Sequence, residues 1–177
     1  MMPNVKQTDI SDCGIACVKA ILHHYNIEVE LSELKLFNPL KIGFYSFMDL
    51  SLLLEKFNIE AIGYVSDFKS LSQLRSPFIA HVRIKKFFPH FVAIHVVDTS
   101  NAYCMNPSTG KITPLSEVDF LKIWSGKILV PSTPAIGKKF PSRNNTSLVV
   151  SFILNKRTTL SLILIVAGFY LIIKTFI

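Results

Sequence analysis

The sequence predicts an α+β fold, and three observations carry that expectation. Apolar residues recur at helical spacing in the first third of the chain, and short β-branched and aromatic runs bounded by Pro, Gly, Asn and Asp follow. The composition, 50% hydrophobic and 18% charged over 177 residues, suits one packed domain with an appendage. It also excludes a disordered chain, a collagen-like repeat and a coiled coil, and no internal repeat or low-complexity tract is present.

Taken in order, residues 13–25 (CGIACVKAILHHY) read as a helix, because Ile15, Val18, Ile21, Leu22 and Tyr25 gather on one face. Asp12, or Ser11 before it, is the expected N-cap, which puts Cys13 in the first turn. Residues 31–37 read as a short second helix and 46–57 as a third, with Met48, Leu52 and Phe57 among its apolar positions. Strands are expected at 61–65, 78–84, 91–97, 102–105 and 128–130, with a last short helix at 115–124. Helices before strands predict helices packed against an antiparallel sheet.

The net charge of +7 suggests a nucleic-acid surface until its distribution is read. Residues 1–133 hold 13 Lys and Arg against 12 Asp and Glu, a net of +1, whereas residues 134–177 hold six basic residues and no acid. No nucleic-acid partner is therefore expected. Residues 158–177 (TTLSLILIVAGFYLIIKTFI) carry one charge, Lys174, and as a helix rising about 1.5 Å per residue are long enough to cross a hydrocarbon core of about 30 Å. Lys156 and Arg157 before the span, with Lys138, Lys139 and Arg143 upstream, put its N-terminal side on the cytoplasmic face, and no secretory signal opens the chain. The expected organisation is a domain over 1–133, a basic linker and interfacial segment over 134–157, and a membrane helix over 158–177 in contact with the lipid bilayer.

Cys13, Cys17 and Cys104 in a cytosolic domain read as free thiols, and no cofactor or metal is expected, because no histidine pair follows Cys13 and Cys17 at zinc-finger spacing. Gly110-Lys111 lacks the glycine-rich turn of a phosphate loop. One thiol is placed for chemistry. Cys13 opens a helix, where unpaired N–H groups and the positive dipole end favour the thiolate nucleophile. His90 in PHFVAIHVV opens a strand, and Asn106 in AYCMNPSTG closes the next one. A cysteine nucleophile needs an imidazole, and the imidazole needs an acceptor to orient it. Their pairing is conditional on register: a four-residue loop at 98–101 puts Asn106 opposite Ala93, on the face away from His90. A three-residue loop or a bulge puts it opposite Val92, on the shared face. His81 competes as base but reads as structural, His95 as pointing to the other face, and His23 and His24 as surface or packing residues.

The segment Gln7-Thr8-Asp9-Ile10-Ser11-Asp12-Cys13-Gly14-Ile15-Ala16-Cys17 resembles the opening signature of the C39 peptidases, papain-like domains fused to bacterial ABC exporters of bacteriocins. The resemblance continues through Pro77–His81, His90–Ile94, Asn106–Gly110 and Trp124–Gly126, in order, over about residues 1–130. It implies a papain-like fold in which Cys13 is the nucleophile, His90 the base and Gln7 a donor to the oxyanion. Asn106 stands where the family usually has Asp. The implied activity is cleavage of a leader from a precursor peptide after a small-residue pair, usually Gly-Gly, coupled to export through a partner ABC exporter. A second reading is a peptidase-like domain that binds substrate or transporter without cutting. The family's exporters continue with six membrane helices and an ATPase, so a chain starting at Met1 and stopping after one span reads as a free-standing anchored peptidase rather than a fragment.

Overall fold

The computed structural model describes residues 2–38, 43–84 and 88–132. The expected linker and membrane helix, 134–157 and 158–177, lie outside the described residues. Among those described, no helix is long and apolar enough to cross a membrane.

A short 3₁₀ turn, Ile10–Asp12, leads into α1 (Cys13–His24), followed by α2 (Leu31–Leu36) and α3 (Phe47–Glu55). Then come β1 (Ala61–Val65), a one-turn helix α4 (Phe68–Leu71), β2 (Phe78–Ile84), β3 (Phe88–Val97), β4 (Asn101–Asn106), β5 (Lys111–Ser116), α5 (Glu117–Ile123) and β6 (Trp124–Pro131). The strands form one antiparallel sheet in the order β1-β6-β2-β3-β4-β5. Its two faces are both covered. Phe91, Ala93, Ile79, Met105 and Leu129 point toward α1 and α3 and meet Ile15, Val18, Leu22, Leu50 and Leu54. Val92, Ile94, Ala80, Cys104 and Ile128 point the other way and pack with Phe120 of α5 and Phe68 and Leu71 of α4. This two-sided burial is why the strands read as apolar runs rather than as an alternation.

The local reasons for the elements are legible. Ser46 and Asp49 form a reciprocal capping box that starts α3, with Asp49 N–H donating to Ser46 Oγ at 3.2 Å and Ser46 N–H to Asp49 Oδ2 at 2.7 Å. Asp67 Oδ1 caps α4 by accepting from Ser70 N–H, and Ser116 Oγ caps α5 by accepting from Asp119 N–H. Gly14 follows Cys13 because α3 crosses so close that a Cβ there would stand 2.8 Å from Leu50 Cδ2 and 3.2 Å from Tyr45 Cβ.

Two expectations need correction. Asp12 occupies the N-cap position of α1 but makes no cap bond. Its buried carboxylate instead accepts from Thr8 Oγ1 at 2.6 Å and pairs with Lys35 Nζ of α2 at 2.7 Å. The expected helix at 115–124 is also shorter: residues 115 and 116 end β5, and Trp124 begins β6. Pro114 hides β5 from a sequence reading. It is tolerated because β5 is an edge strand, paired on one side with β4.

Candidate active site

Each candidate is positioned by an identifiable local device. Asp98 Oδ1 accepts from the N–H groups of Ser100 and Asn101 at 2.8 and 2.7 Å, which closes the β3–β4 hairpin at residues 98–101 with Val97 opposite Ala102. That turn alone would send Asn106 to the wrong face. Between Ile94 and Val97 the register shifts by one, so Ile94 pairs with Cys104 and Ala93 with Met105. The bulge on β3 carries the extra residue, and Asn106 falls on the face of Val92 and His90. His90 Nε2 and Asn106 Oδ1 lie 3.1 Å apart.

The protonation of this pair follows from a third group. Ser108 N–H, which can only donate, points at Asn106 Oδ1 at 3.0 Å, so the atom facing His90 is the amide oxygen. His90 Nε2 therefore carries a hydrogen and Nδ1 carries the lone pair, the tautomer a base needs. Burial holds the His90 pKa below its ordinary 6.5, and the Asn106 bond opposes that shift without cancelling it. The ring is neutral at pH 7.

Cys13 is buried at the first position of α1. Backbone N–H groups of Phe91, Gly14 and Cys13 itself favour its thiolate. Burial outweighs them, the Asp12 carboxylate adds a smaller effect of the same sign, and the pKa lies above the ordinary 9.0. The expected thiolate preference of a helix start is therefore present but beaten by desolvation. The Phe91 N–H belongs to the peptide unit joining His90 to Phe91, so the sulfur touches the backbone that carries the imidazole. No hydrogen bond joins thiol to imidazole among the described residues, and such bonds often tighten only when substrate arrives.

Gln7 is held beside Asn106: its N–H donates to Pro107 O at 2.9 Å. At Gly110, φ is +68° and a Cβ would stand 2.8 Å from Lys6 Cβ, so the turn after Asn106 lets the N-terminal segment approach closely. One hydrogen of the Gln7 amide goes to Asp9 O at 2.9 Å, and its Oε1 is buried without a partner. The second amide hydrogen meets no acceptor among the described residues.

Above Cys13 opens a cleft of about 290 Å³ with walls from Phe44, Tyr45, Phe47, Pro89 and Phe91. His81 and Lys127 line it too, whereas His90 does not. Sequence reading missed His81 as a cleft residue, although pairing opposite Phe91 places it on the α1 face. It also missed the Asp12–Lys35 pair, which joins residues far apart in the chain. Cys17 and Cys104 are buried packing thiols, the latter pushed up to about 12 by desolvation. Among the described residues no cluster of three or more His, Cys, Asp or Glu is placed to hold a metal ion.

A cysteine opening a buried helix, set against a histidine-bearing antiparallel sheet, defines the papain-like class of cysteine peptidase domain. The chain belongs to the Peptidase C39 family, whose sequence profile matches residues 1–135. Lactococcin-A transport/processing ATP-binding protein LcnC of Lactococcus lactis subsp. lactis is 28% identical over 169 residues, covering 92% of this chain and 23% of that protein. Pediocin PA-1 transport/processing ATP-binding protein PedD of Pediococcus acidilactici is 26% identical over 167 residues, again 92% and 23%. The chain thus spans about a quarter of the length of these relatives. Among solved structures, the peptidase domain of Streptococcus ComA superposes with a TM-score of 0.66 at 21% identity, over 72% of this chain and 96% of that one. A double glycine motif protease from an AMS/PCAT transporter, in complex with the leader peptide, gives 0.67 at 21%, over 76% and 93%.

Proposed function

We propose that this domain cleaves leader peptides of the double-glycine type from bacteriocin-like precursors at the cytoplasmic face of a bacterial membrane, anchored by residues 158–177 and working with an ABC exporter. The observation that supports the reading is Cys13 at the start of α1, lining an apolar cleft, with its sulfur against the backbone N–H of Phe91, the residue that follows His90 of the His90–Asn106 pair. The names of the relatives and the leader-bound protease of the same fold support the choice of substrate.

In this mechanism His90 Nδ1 takes the thiol proton as Cys13 Sγ attacks the carbonyl carbon of the second residue of the small-residue pair. The tetrahedral oxyanion accepts from the free hydrogen of the Gln7 amide and from the Cys13 backbone N–H at the helix start. The imidazolium then gives its proton to the departing amine, leaving the leader as a thioester on Cys13. Water, deprotonated by His90, hydrolyses the thioester and releases the leader with its new carboxylate. Asn106 holds the ring in the required tautomer throughout.

The unjoined thiol and imidazole, together with a neutral orienter at 106, favour one second reading: a domain that grips the leader without cutting. Incubating a Gly-Gly leader precursor with the chain and with Cys13→Ala separates them. Cleavage after the glycine pair by the unsubstituted chain alone supports the peptidase; equal cleavage by both, or binding without cleavage, overturns it.

A further inference from the structure

His81 lies opposite Phe91 in the β2–β3 ladder, and its ring packs edge-on against Phe91 and Phe47 at centroid distances of 5.6 and 6.4 Å. Ser125 determines its tautomer. That hydroxyl has one hydrogen, and it donates it to the His81 carbonyl at 3.0 Å, a group that can only accept. The 2.8 Å contact between the same hydroxyl and His81 Nδ1 must then take its hydrogen from the ring, so Nδ1–H donates to Ser125 Oγ. Burial first, then the cations of Arg83 and Lys127, keep the ring neutral by pushing its pKa below the ordinary 6.5. The neutral ring therefore has a lone pair on Nε2. No described group donates to that atom, and His81 lines the cleft and is only partly buried.

Among the described residues, the charged and titratable groups that share this cleft or act on the ring are Cys13 on α1, Tyr45 before α3, Arg83 on its own strand and Lys127 on β6. Against walls made chiefly of Phe44, Phe47, Pro89 and Phe91, Nε2 is a directional acceptor in an apolar cleft. A peptide entering the cleft loses water from its backbone N–H groups, and each buried donor needs a new acceptor. We propose that His81 Nε2 accepts a backbone N–H of the substrate peptide as it passes Cys13, making His81 a substrate-binding residue that sets which peptide bond meets the sulfur. The inference rests on the peptidase reading above.

The test uses the full chain and a Gly-Gly leader precursor. In His81→Asn the side-chain amide still reaches Ser125 but presents nothing at the Nε2 position; in His81→Gln an amide oxygen stands near that position. We expect His81→Asn to raise KM about 3- to 10-fold, the size of one net hydrogen bond, with kcat within about twofold. His81→Gln should recover most of the loss. Exchanging backbone amides near the cut for esters, one at a time, should reveal one position that weakens the unsubstituted chain equally and leaves His81→Asn unchanged. Loss of kcat to the level of Cys13→Ala would make His81 the base instead, and unchanged KM with only a lower melting temperature would make it structural; either overturns the proposal. If the unsubstituted chain cuts nothing, the peptidase reading fails, and the order of leader-peptide Kd values for the same two variants in a Cys13→Ala background still decides the role of His81.

Discussion

At the residue scale, the chemistry turns on proton positions that neighbouring groups impose. Ser108 N–H fixes the Asn106 amide, the amide fixes His90, and burial keeps both the thiol and the imidazole uncharged. In the proposed mechanism the working form of His90 is the neutral base, lost as pH falls through a pKa below 6.5, so kcat/KM should fall on an acid limb below pH 6.5. A carboxylate at 106 stabilises the imidazolium more than an amide does, which raises the His90 pKa. Asn106→Asp should therefore move the acid limb to higher pH and raise kcat several-fold; a limb unmoved in the pH profile would show that Asn106 does not orient the base. A second expectation concerns Asp12, buried beside Cys13 and paired with Lys35. Lys35→Met should shift the midpoint of Cys13 alkylation upward in pH and cost about 1–3 kcal/mol in urea unfolding, since Lys35 is partly exposed. Asp12→Asn with Lys35→Met should restore the alkylation midpoint. Cys13, His90 and Asn106 were legible because each sits in an informative local pattern. Lys35 and His81 were not, because their roles come from packing between distant segments.

At the element scale, the β3–β4 hairpin decides whether there is a site at all. Its turn is the four-residue one, which by itself separates Asn106 from His90, and the bulge between Ile94 and Val97 restores the shared face. A sequence states the condition but does not choose, since a bulge leaves no composition of its own in this run. The same physics explains β5: Pro114 argues against a strand, and only the edge position admits it. The turn after Asn106 matters equally for Gln7. Gly110→Ala places a side chain at φ +68° and 2.8 Å from Lys6 Cβ. It should destabilise the domain by about 1–3 kcal/mol in denaturant titration and lower kcat by displacing residues 6 and 7, with little change in KM. Equal stability and kcat would show that the approach of the N-terminal segment has no part in catalysis.

At the scale of the whole molecule, the excess charge and the apolar run share the last quarter of the chain, and the near-neutral domain carries the site. The first three helices, part of α5, most strand positions and the fold class could be read from periodicity, whereas α4 and β5 could not. Cys13, His90 and Asn106 could be singled out from local patterns, but Gln7 could be read only through resemblance, since no spacing dictates it. The same partition makes a prediction for the tail: expressed in bacteria, the 177-residue chain should sediment with membranes through a carbonate wash, and residues 1–133 alone should stay in the supernatant. Release of the full chain by carbonate would count against a spanning helix at 158–177.

The proposed cleavage requires Cys13 to attack the carbonyl at the end of a double-glycine leader. A leader peptide whose terminal Gly-Gly carboxyl is replaced by a chloromethyl ketone tests this by intact mass and peptide mapping. One adduct per chain, on Cys13, formed at least about tenfold more slowly in His90→Ala, is the result the account predicts. Labelling at Cys17 or Cys104, or a Cys13 rate indifferent to His90, would contradict it.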